Sequence, residues 1–143
     1  SPKQPAIDAI KPPLATGENL YATQDVENLV RFGGWRAGTD IIQIDPPQAY
    51  GIVQYARTLA MLERHGWPRT ALFPHGGNQM SLAIAAGLSL GGSESYPGVF
   101  GDFGGFADDA RVENGTIALS DRPGIGFEGQ GALYRIMRAL AGV

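Results

Sequence analysis

The chain has 143 residues, 43% of them hydrophobic and 17% charged, so it can bury a core and is predicted to be globular and not disordered. Its net charge of −3, with scattered lysines and arginines, argues against a nucleic-acid or anionic-membrane surface and favours a small-molecule partner. Cysteine is absent, which excludes disulfides and thiolate metal sites, and the sequence lacks a recognisable signal peptide or membrane span, so we expect a cytoplasmic protein.

The first half of the sequence alternates short apolar runs with helical patterns. After a Pro-rich lead-in, "PLATGENL" predicts a short strand, and "ATQDVENLVRFGG" predicts a helix with Thr23 as its N-cap and Gly33-Gly34 as its stop. The β-branched run "TDIIQID" predicts a second strand, and "AYGIVQYARTLAMLERHG" predicts a helix that closes at Gly66. The apolar residues of this second helix fall at helical spacing and are expected to pack on the core: Ile52, Val53, Ala56, Leu59, Ala60 and Leu62.

The pattern repeats and then changes. "TALFPH" predicts a third strand, "NQMSLAIAAGLSLGG" a helix, and "GSESYPG" a fourth short strand before a Gly-rich loop. Units spaced by ~30 residues favour a parallel α/β architecture. Further on, Asn114-Gly115 between alternating apolar residues indicates a hairpin. A final helix is expected to bury one face, made of Leu133, Ile136, Met137 and Leu140.

Four polar residues end the four apolar runs in turn: Glu18, Asp45, His75 and Glu94. The carboxyl ends of parallel strands open on one side, so these residues are expected to converge on one rim. Each also has an ordinary explanation when taken alone: an acid before a helix, a turn residue before prolines, a loop histidine and an exposed loop acid. Together they provide the acids, base and metal ligand that a catalytic site needs.

The residue types suggest separate roles at this rim. Glu18 suits a hard cation such as Mg²⁺, which prefers oxygen ligands. His75 is the best general acid or base, because its unperturbed pKa lies near neutrality. Asp45 is expected to accept the other ring N–H of His75, forming a dyad. Gly76-Gly77 would let the backbone turn tightly before a helix that begins at about Gln79.

Five segments, in this order, resemble the second half of the barrel of the mandelate racemase group of the enolase superfamily: "ATGENL", "DIIQIDPPQAYGIVQ", "PHGGNQMSLAIAAGL", "GGSESYPG" and "VENGTIALSDRPGIGFEG". The resemblance runs from about Pro13 to the C-terminus. The text "PHGGNQMSLAIAAGL…ESYPGVFGDFGGF" is most similar to the tartrate dehydratase type of acid-sugar dehydratase.

The resemblance implies the C-terminal half of a modified (β/α) barrel, strands five to eight, over residues 1–97. Residues 98–143 would return as a Gly-rich loop, a hairpin and a C-terminal helix to an α+β capping domain. Glu18 would be the third Mg²⁺ carboxylate, Asp45 and His75 the Asp-His dyad, and Glu94 the acid that binds the substrate carboxylate or enolate oxygen. The implied reaction is a dehydration. The proton α to a carboxylate is removed, Mg²⁺ stabilises the enediolate, His75 helps the β-hydroxyl leave, and a 2-keto acid forms.

The family's lysine base and its first two metal carboxylates have no counterpart, since Lys3 and Lys11 lie too close to the fifth strand. With no initiator Met, the chain is expected to be processed or part of a longer polypeptide. We therefore expect the N-terminal half of the same enzyme as a partner, an acid sugar as substrate, and a homo-oligomer. Two alternatives stay open: a racemase or epimerase of the same superfamily, and a non-catalytic half-barrel that acts only in assembly.

Overall fold

The computed structural model describes residues 12–143, so Lys3, Lys11 and most of the Pro-rich lead-in lie outside the described residues. Helices and strands alternate along the chain, and the architecture is α/β. The elements are β1 (Ala15–Thr16), α1 (Thr23–Phe32), β2 (Ile41–Ile42), α2 (Gly51–Arg64), α3 (Gln79–Gly87), β3 (Val112–Glu113), β4 (Thr116–Ile117) and α4 (Gly131–Ala141). Single 3₁₀ turns occur at Arg69–Ala71, Gly101–Phe103 and Phe127–Gly129.

Four extended segments lie side by side in chain order. β1 pairs with β2 in parallel, with Ala15 opposite Ile41. A third extended segment, residues 72–75, joins the other side of β2, where Ile42 and Leu72 form a parallel bridge. A fourth, residues 90–95, follows, and the Gly91 amide donates to the Leu72 carbonyl at 3.0 Å. The alternation predicted from the sequence is therefore confirmed, with ladders shorter than the apolar runs.

The amino ends of β1 and β2 are joined by a buried carboxylate. Asp40, directly before β2, is 1% exposed and accepts a hydrogen bond from the Leu14 amide at 3.0 Å. Its oxygens also accept hydrogen bonds from the Arg36 side chain, at 2.6 Å from Nη2 and 3.0 Å from Nε. The Arg36 hydrogen bonds, reinforced by the Leu14 amide and opposed by burial, lower the pKa of Asp40 from 3.8 to about 2.

Helices α1, α2 and α3 pack on these segments and close the core. Buried residues that belong to this core include Val26, Ile42, Ile44, Tyr55, Leu59, Met61, Leu62, Trp67, Leu72 and Ile84. Ile42 and Ile44 alternate with Gln43 and Asp45 along the chain, as expected where side chains of an extended segment point alternately to opposite faces. The apolar residues therefore meet the helices, and the polar residues are left for the other face.

The predicted buried face of α2 is wrong in part. Ile52 and Val53 are 55% and 63% exposed, and Ala56 and Ala60 are also exposed. The buried face instead carries Tyr55, Thr58, Leu59, Met61 and Leu62. The helical spacing of apolar residues alone does not decide which face of α2 is buried. Contact with α1 buries the face that includes Thr58.

The start of α1 also differs from the prediction. The helix begins at Thr23 and its N-cap is Ala22, whose amide donates to the Asp25 carboxylate at 3.2 Å. The Thr23 hydroxyl instead meets the Thr58 hydroxyl at 2.8 Å and accepts a hydrogen bond from the Gln54 amide at 2.7 Å. Thr23 thus ties α1 to α2 and does not cap its own helix. The helix ends at Phe32, and Gly33 follows as its C-cap, as predicted.

The C-terminal part of the chain contains the predicted hairpin and helix. β3 and β4 pair antiparallel around Asn114-Gly115, and both turn residues have positive φ, at 51° and 74°. The expected burial of one face of α4 is confirmed only for Leu133, since Met137 and Leu140 are 39% and 84% exposed. None of the helices in residues 12–143 has the length and apolar character needed to cross a bilayer.

Replacing Asp40 tests the junction between β1 and β2. We expect Asp40→Asn to lower the free energy of unfolding at pH 7 by about 2 to 4 kcal/mol, because the Leu14 amide and the Arg36 guanidinium lose a buried charged acceptor. Since the folded-state pKa is lowered, the contribution of Asp40 is present above pH 3.8 and lost as the pH falls towards about 2. The difference between Asp40→Asn and wild type in urea unfolding should therefore shrink across that interval.

The matched control is Asp109→Asn, which removes the exposed Asp109–Arg122 pair and should leave the unfolding midpoint nearly unchanged. Equal effects of the two substitutions would contradict the role given to Asp40.

Candidate active site

The four polar residues expected at the strand ends lie at the carboxyl ends of the four extended segments. Glu18 follows β1, Asp45 follows β2, His75 ends the third segment and Glu94 lies in the fourth. We call this set the rim. Two of its members, His75 and Glu94, are in direct contact, and the charges of both act on the pKa of Asp45. The charge of Glu18 reaches Tyr96, which the Glu94 charge also reaches.

Glu94 holds the largest number of contacts at the rim. One oxygen, Oε2, lies 2.5 Å from His75 Nδ1 and accepts a hydrogen bond from the Gly76 amide at 3.1 Å. The other, Oε1, accepts a hydrogen bond from the side-chain amide of Gln43. The His75 and Glu94 side chains are 27% and 18% exposed, so the pair is shielded from bulk solvent yet open to a small ligand.

The predicted Asp45–His75 dyad is wrong as a hydrogen bond. Within the described residues, Asp45 Oδ2 accepts a bond from Gln48 Nε2 at 2.9 Å, and Oδ1 has no hydrogen-bond partner. His75 Nδ1 faces Glu94 instead. The physical reason lies in the loop after His75: the Gly76 amide points at Glu94 Oε2, which brings that oxygen and the imidazole together.

Asp45 is a buried carboxylate with one unused oxygen. It is 6% exposed, and burial is the main cause that raises its pKa above the usual 3.8. The hydrogen bonds from Gln48 and the charge of His75 oppose this rise, while the charge of Glu94 adds to it. The charge of His75 therefore acts on Asp45 although the two side chains share no hydrogen bond, and Asp45 carries the cost of an unpaired oxygen.

Two glycines shape the loop that presents His75. Gly76 has φ +94°, and a Cβ there would lie 3.2 Å from Asp45 Oδ2 and 2.9 Å from the Asn78 side chain. Gly77 has φ +53°, and a Cβ there would lie only 2.6 Å from the backbone nitrogen of Tyr96. The tight turn predicted from Gly76-Gly77 is confirmed, and the turn packs the third segment closely against the fourth.

The following helix fixes the same loop from its other side. α3 begins at Gln79, as expected, and the Asn78 side chain caps it by accepting a bond from the Ser81 amide at 2.9 Å. The Ser81 hydroxyl donates to the His75 carbonyl at 3.1 Å. The backbone of His75 is thus held by a helix start, and its side chain is held by Glu94.

Glu18 provides a single half-buried carboxylate at the edge of the rim. Carboxylate oxygen is the donor that Mg²⁺ prefers, and this part of the prediction is compatible with the position of Glu18. However, no group of three or more His, Cys, Asp or Glu side chains in residues 12–143 is arranged to hold a metal ion. The described residues alone therefore do not make a metal centre, and other ligands would have to come from elsewhere.

Two residues at the rim were missed by the sequence analysis. Gln43 contacts Glu94, and Tyr96 packs edge-on against His75, with ring centroids 5.7 Å apart and an interplanar angle of 71°. Burial, followed by a hydrogen bond with Glu94, raises the pKa of Tyr96. Each stands two residues from a predicted site residue, Asp45 or Glu94. Period-two alternation, which places residues i and i+2 on one face, was the signal that could have found them.

One family comparison matches most of the chain. The family described as Enolase C-terminal domain-like matches residues 4–132 of the 143. The chain belongs to this family, whose fold is α/β. Members of the enolase superfamily are mostly enzymes and generally use Mg²⁺, which is compatible with a histidine and three carboxylates at one rim.

The unpaired oxygen of Asp45 leads to a stability prediction. We expect Asp45→Asn to raise the free energy of unfolding at pH 7 by about 1 kcal/mol, because it removes a charge that is buried at a cost. The folded-state pKa is raised, so the folded chain binds this proton more tightly than the unfolded chain, and the cost exists only where Asp45 is ionised. The gain should disappear as the pH falls through the raised pKa towards 3.8.

Urea unfolding at several pH values measures this gain, and Asp121→Asn, at an exposed carboxylate, is the control. A loss of stability in Asp45→Asn at pH 7, or a gain that does not vary with pH, would show that burial of the Asp45 charge is not costly.

Proposed function

We propose that this enolase C-terminal domain-like chain is the C-terminal part of a Mg²⁺-dependent acid-sugar dehydratase of the tartrate dehydratase type. The observation that carries the proposal is the His75–Glu94 pair, 2.5 Å apart, at the ends of adjacent parallel segments. The specific substrate class rests on the resemblance of "PHGGNQMSLAIAAGL" and the text after it to that type of enzyme. The reaction is the loss of the β-hydroxyl, as water, from a 2,3-dihydroxy acid to give an enol, which tautomerises to a 2-keto acid.

His75 acts in this proposal as the general acid for the leaving hydroxyl. Its Nδ1 is occupied by Glu94, so Nε2 is the nitrogen left to face a substrate. Hydroxide is a poor leaving group near neutral pH and requires a proton as the carbon–oxygen bond breaks.

Glu94 has a more restricted role than the resemblance implies. Both of its oxygens already accept hydrogen bonds from the chain, from Gln43 on one side and from Gly76 and His75 on the other. A substrate carboxylate or hydroxyl that binds Glu94 must share or displace one of these donors. We propose that Glu94 first orients His75 and reaches the substrate only through an oxygen that it shares.

Glu18 would supply one carboxylate to a Mg²⁺ ion whose remaining ligands lie outside the described residues. When bound, such an ion stabilises the negative charge that develops on a substrate carboxylate after loss of its α-proton. The base that removes this proton, a lysine in the implied reaction, is also expected outside residues 12–143. The described chain accordingly provides the acid half of the reaction and one metal ligand.

We further propose that the four parallel segments are strands five to eight of a modified (β/α) barrel, with residues 98–143 returning to a capping domain. A closed barrel of this kind needs eight strands and about 250 residues. An apolar cavity of about 510 Å³ flanks the fourth segment, between Phe73, Gly91, Gly92 and the hairpin. It is compatible with packing against the N-terminal half of the same enzyme, which we propose as the partner. Assembly into a homo-oligomer and a cytoplasmic location stay predictions.

The test uses the intact enzyme that contains this chain, incubated with a panel of acid sugars in D₂O with and without Mg²⁺. We expect Mg²⁺-dependent formation of a 2-keto acid. His75→Asn should lower kcat by about 10²- to 10⁴-fold, the range typical for loss of a general acid. His65→Asn is the matched control, because His65 pairs with Glu27 on the helical side of the molecule and should keep full activity.

Other outcomes would overturn the proposal in distinct ways. Deuterium exchange at the α-carbon without a 2-keto acid would identify a racemase or epimerase. Neither product nor exchange, together with no effect of Mg²⁺ on thermal stability, would identify a non-catalytic half-barrel. Equal loss of activity in His65→Asn and His75→Asn would remove the special role of His75.

A further inference from the structure

Gln43 is the rim residue that the proposed reaction leaves without a role. It follows β2, where its backbone amide donates to the Thr16 carbonyl at 2.7 Å, so its backbone position is fixed by the sheet. Its half-buried side chain reaches across the third segment and donates from Nε2 to Glu94 Oε1. The contact joins the second extended segment to the fourth.

This contact divides the two oxygens of Glu94 between two sets of donors. Oε1 accepts a hydrogen bond from the Gln43 side-chain amide, while Oε2 accepts one from the Gly76 backbone amide and lies against His75 Nδ1. The terminal torsion of a glutamate is broad, so donors on one oxygen alone leave the carboxylate more rotational freedom than donors on both oxygens. A donor on Oε1 removes this freedom and sets the plane in which Oε2 meets the imidazole.

We propose that Gln43 is a positioning residue whose amide orients the Glu94 carboxylate so that Oε2 faces His75 Nδ1. His75 then keeps its proton on Nδ1 when neutral, and Nε2 is directed to the substrate side. The partner of one ring nitrogen decides which tautomer a histidine adopts. The geometric claim concerns this chain alone, whereas its effect on turnover rests on the proposed function.

The direct test is nitrogen-15 NMR of the imidazoles in the 143-residue chain, which has only two histidines. In wild type we expect neutral His75 to carry its proton mainly on Nδ1. In Gln43→Met, which keeps the length of the side chain but removes the donor, we expect a shift towards the Nε2–H tautomer. In this variant we also expect the Nδ1 proton to exchange with solvent faster than in wild type. His65 provides an internal reference in each spectrum.

Two further variants keep the test decisive. Gln43→Glu places an acceptor against Glu94 and should change the tautomer at least as much as Gln43→Met. Gln54→Leu removes a similar side-chain amide bond, to the Thr23 hydroxyl at 2.7 Å, and should leave His75 unchanged. A wild-type tautomer of His75 in a folded Gln43→Met or Gln43→Glu chain would overturn the proposal. A change in His75 in Gln54→Leu equal to that in Gln43→Met would do the same.

The intact enzyme separates this proposal from the proposed function. We expect Gln43→Met to lower kcat about tenfold with little change in KM, as for a residue that acts through the catalytic group. A changed tautomer in an enzyme that forms no 2-keto acid would support the role of Gln43 and contradict the dehydratase function. An unchanged tautomer in an active dehydratase would contradict the role of Gln43 alone.

Discussion

The candidate site depends on one carboxylate that contacts several neighbouring groups of the rim. Glu94 joins the ends of the second, third and fourth extended segments through Gln43, His75 and the Gly76 amide. Such a tie matters because the regular ladders are short: β1 and β2 share only two residue pairs. Asp40 joins the first two segments at their opposite end, where it accepts hydrogen bonds from the Leu14 amide and the Arg36 guanidinium. Charged hydrogen bonds at both ends therefore supplement the ladder between them.

The rim concentrates negative charge around one imidazole. Glu18, Asp45 and Glu94 lie within reach of the same few side chains, and burial rather than repulsion is the main cause of the raised pKa of Asp45. A carboxylate oxygen without a partner is unfavourable for stability, and structures keep such groups mainly where they serve another purpose. Under the proposed function, the described residues would supply the acid side of a catalytic site, and the unpaired oxygen of Asp45 lies beside it.

Local signals in the sequence predicted much of this arrangement. The start of α3 at Gln79, the stop of α1 at Gly33 and the hairpin at Asn114-Gly115 depend on caps and turns within a few residues, which the sequence contains directly. The four strand ends followed from alternation of apolar and polar runs. The site roles of Glu18, Asp45, His75 and Glu94 stay predictions, because their positions show proximity and not turnover.

Features that depend on non-local packing could not be predicted in the same way. The spacing of apolar residues along α2 was compatible with burial of Ile52 and Val53. In the fold, contact with α1 buries Tyr55 and Thr58, and Ile52 and Val53 are exposed. The sequence likewise placed two carboxylates near His75, and the prediction chose Asp45 as its hydrogen-bond partner. The choice of Glu94 depends on the turn at Gly76, whose amide direction is a property of the folded loop. Gln43 was visible only as a residue two positions before Asp45.

The most direct test of the account is a double-mutant cycle between Glu94→Gln and His75→Asn, measured as free energies of unfolding in urea. If Glu94 and His75 form the pair on which the rim is organised, the two substitutions should be coupled by about 1 to 3 kcal/mol, because either one alone already removes the carboxylate–imidazole pair. Additive effects, within about 0.5 kcal/mol, would contradict a direct interaction and with it the proposed centre of the site.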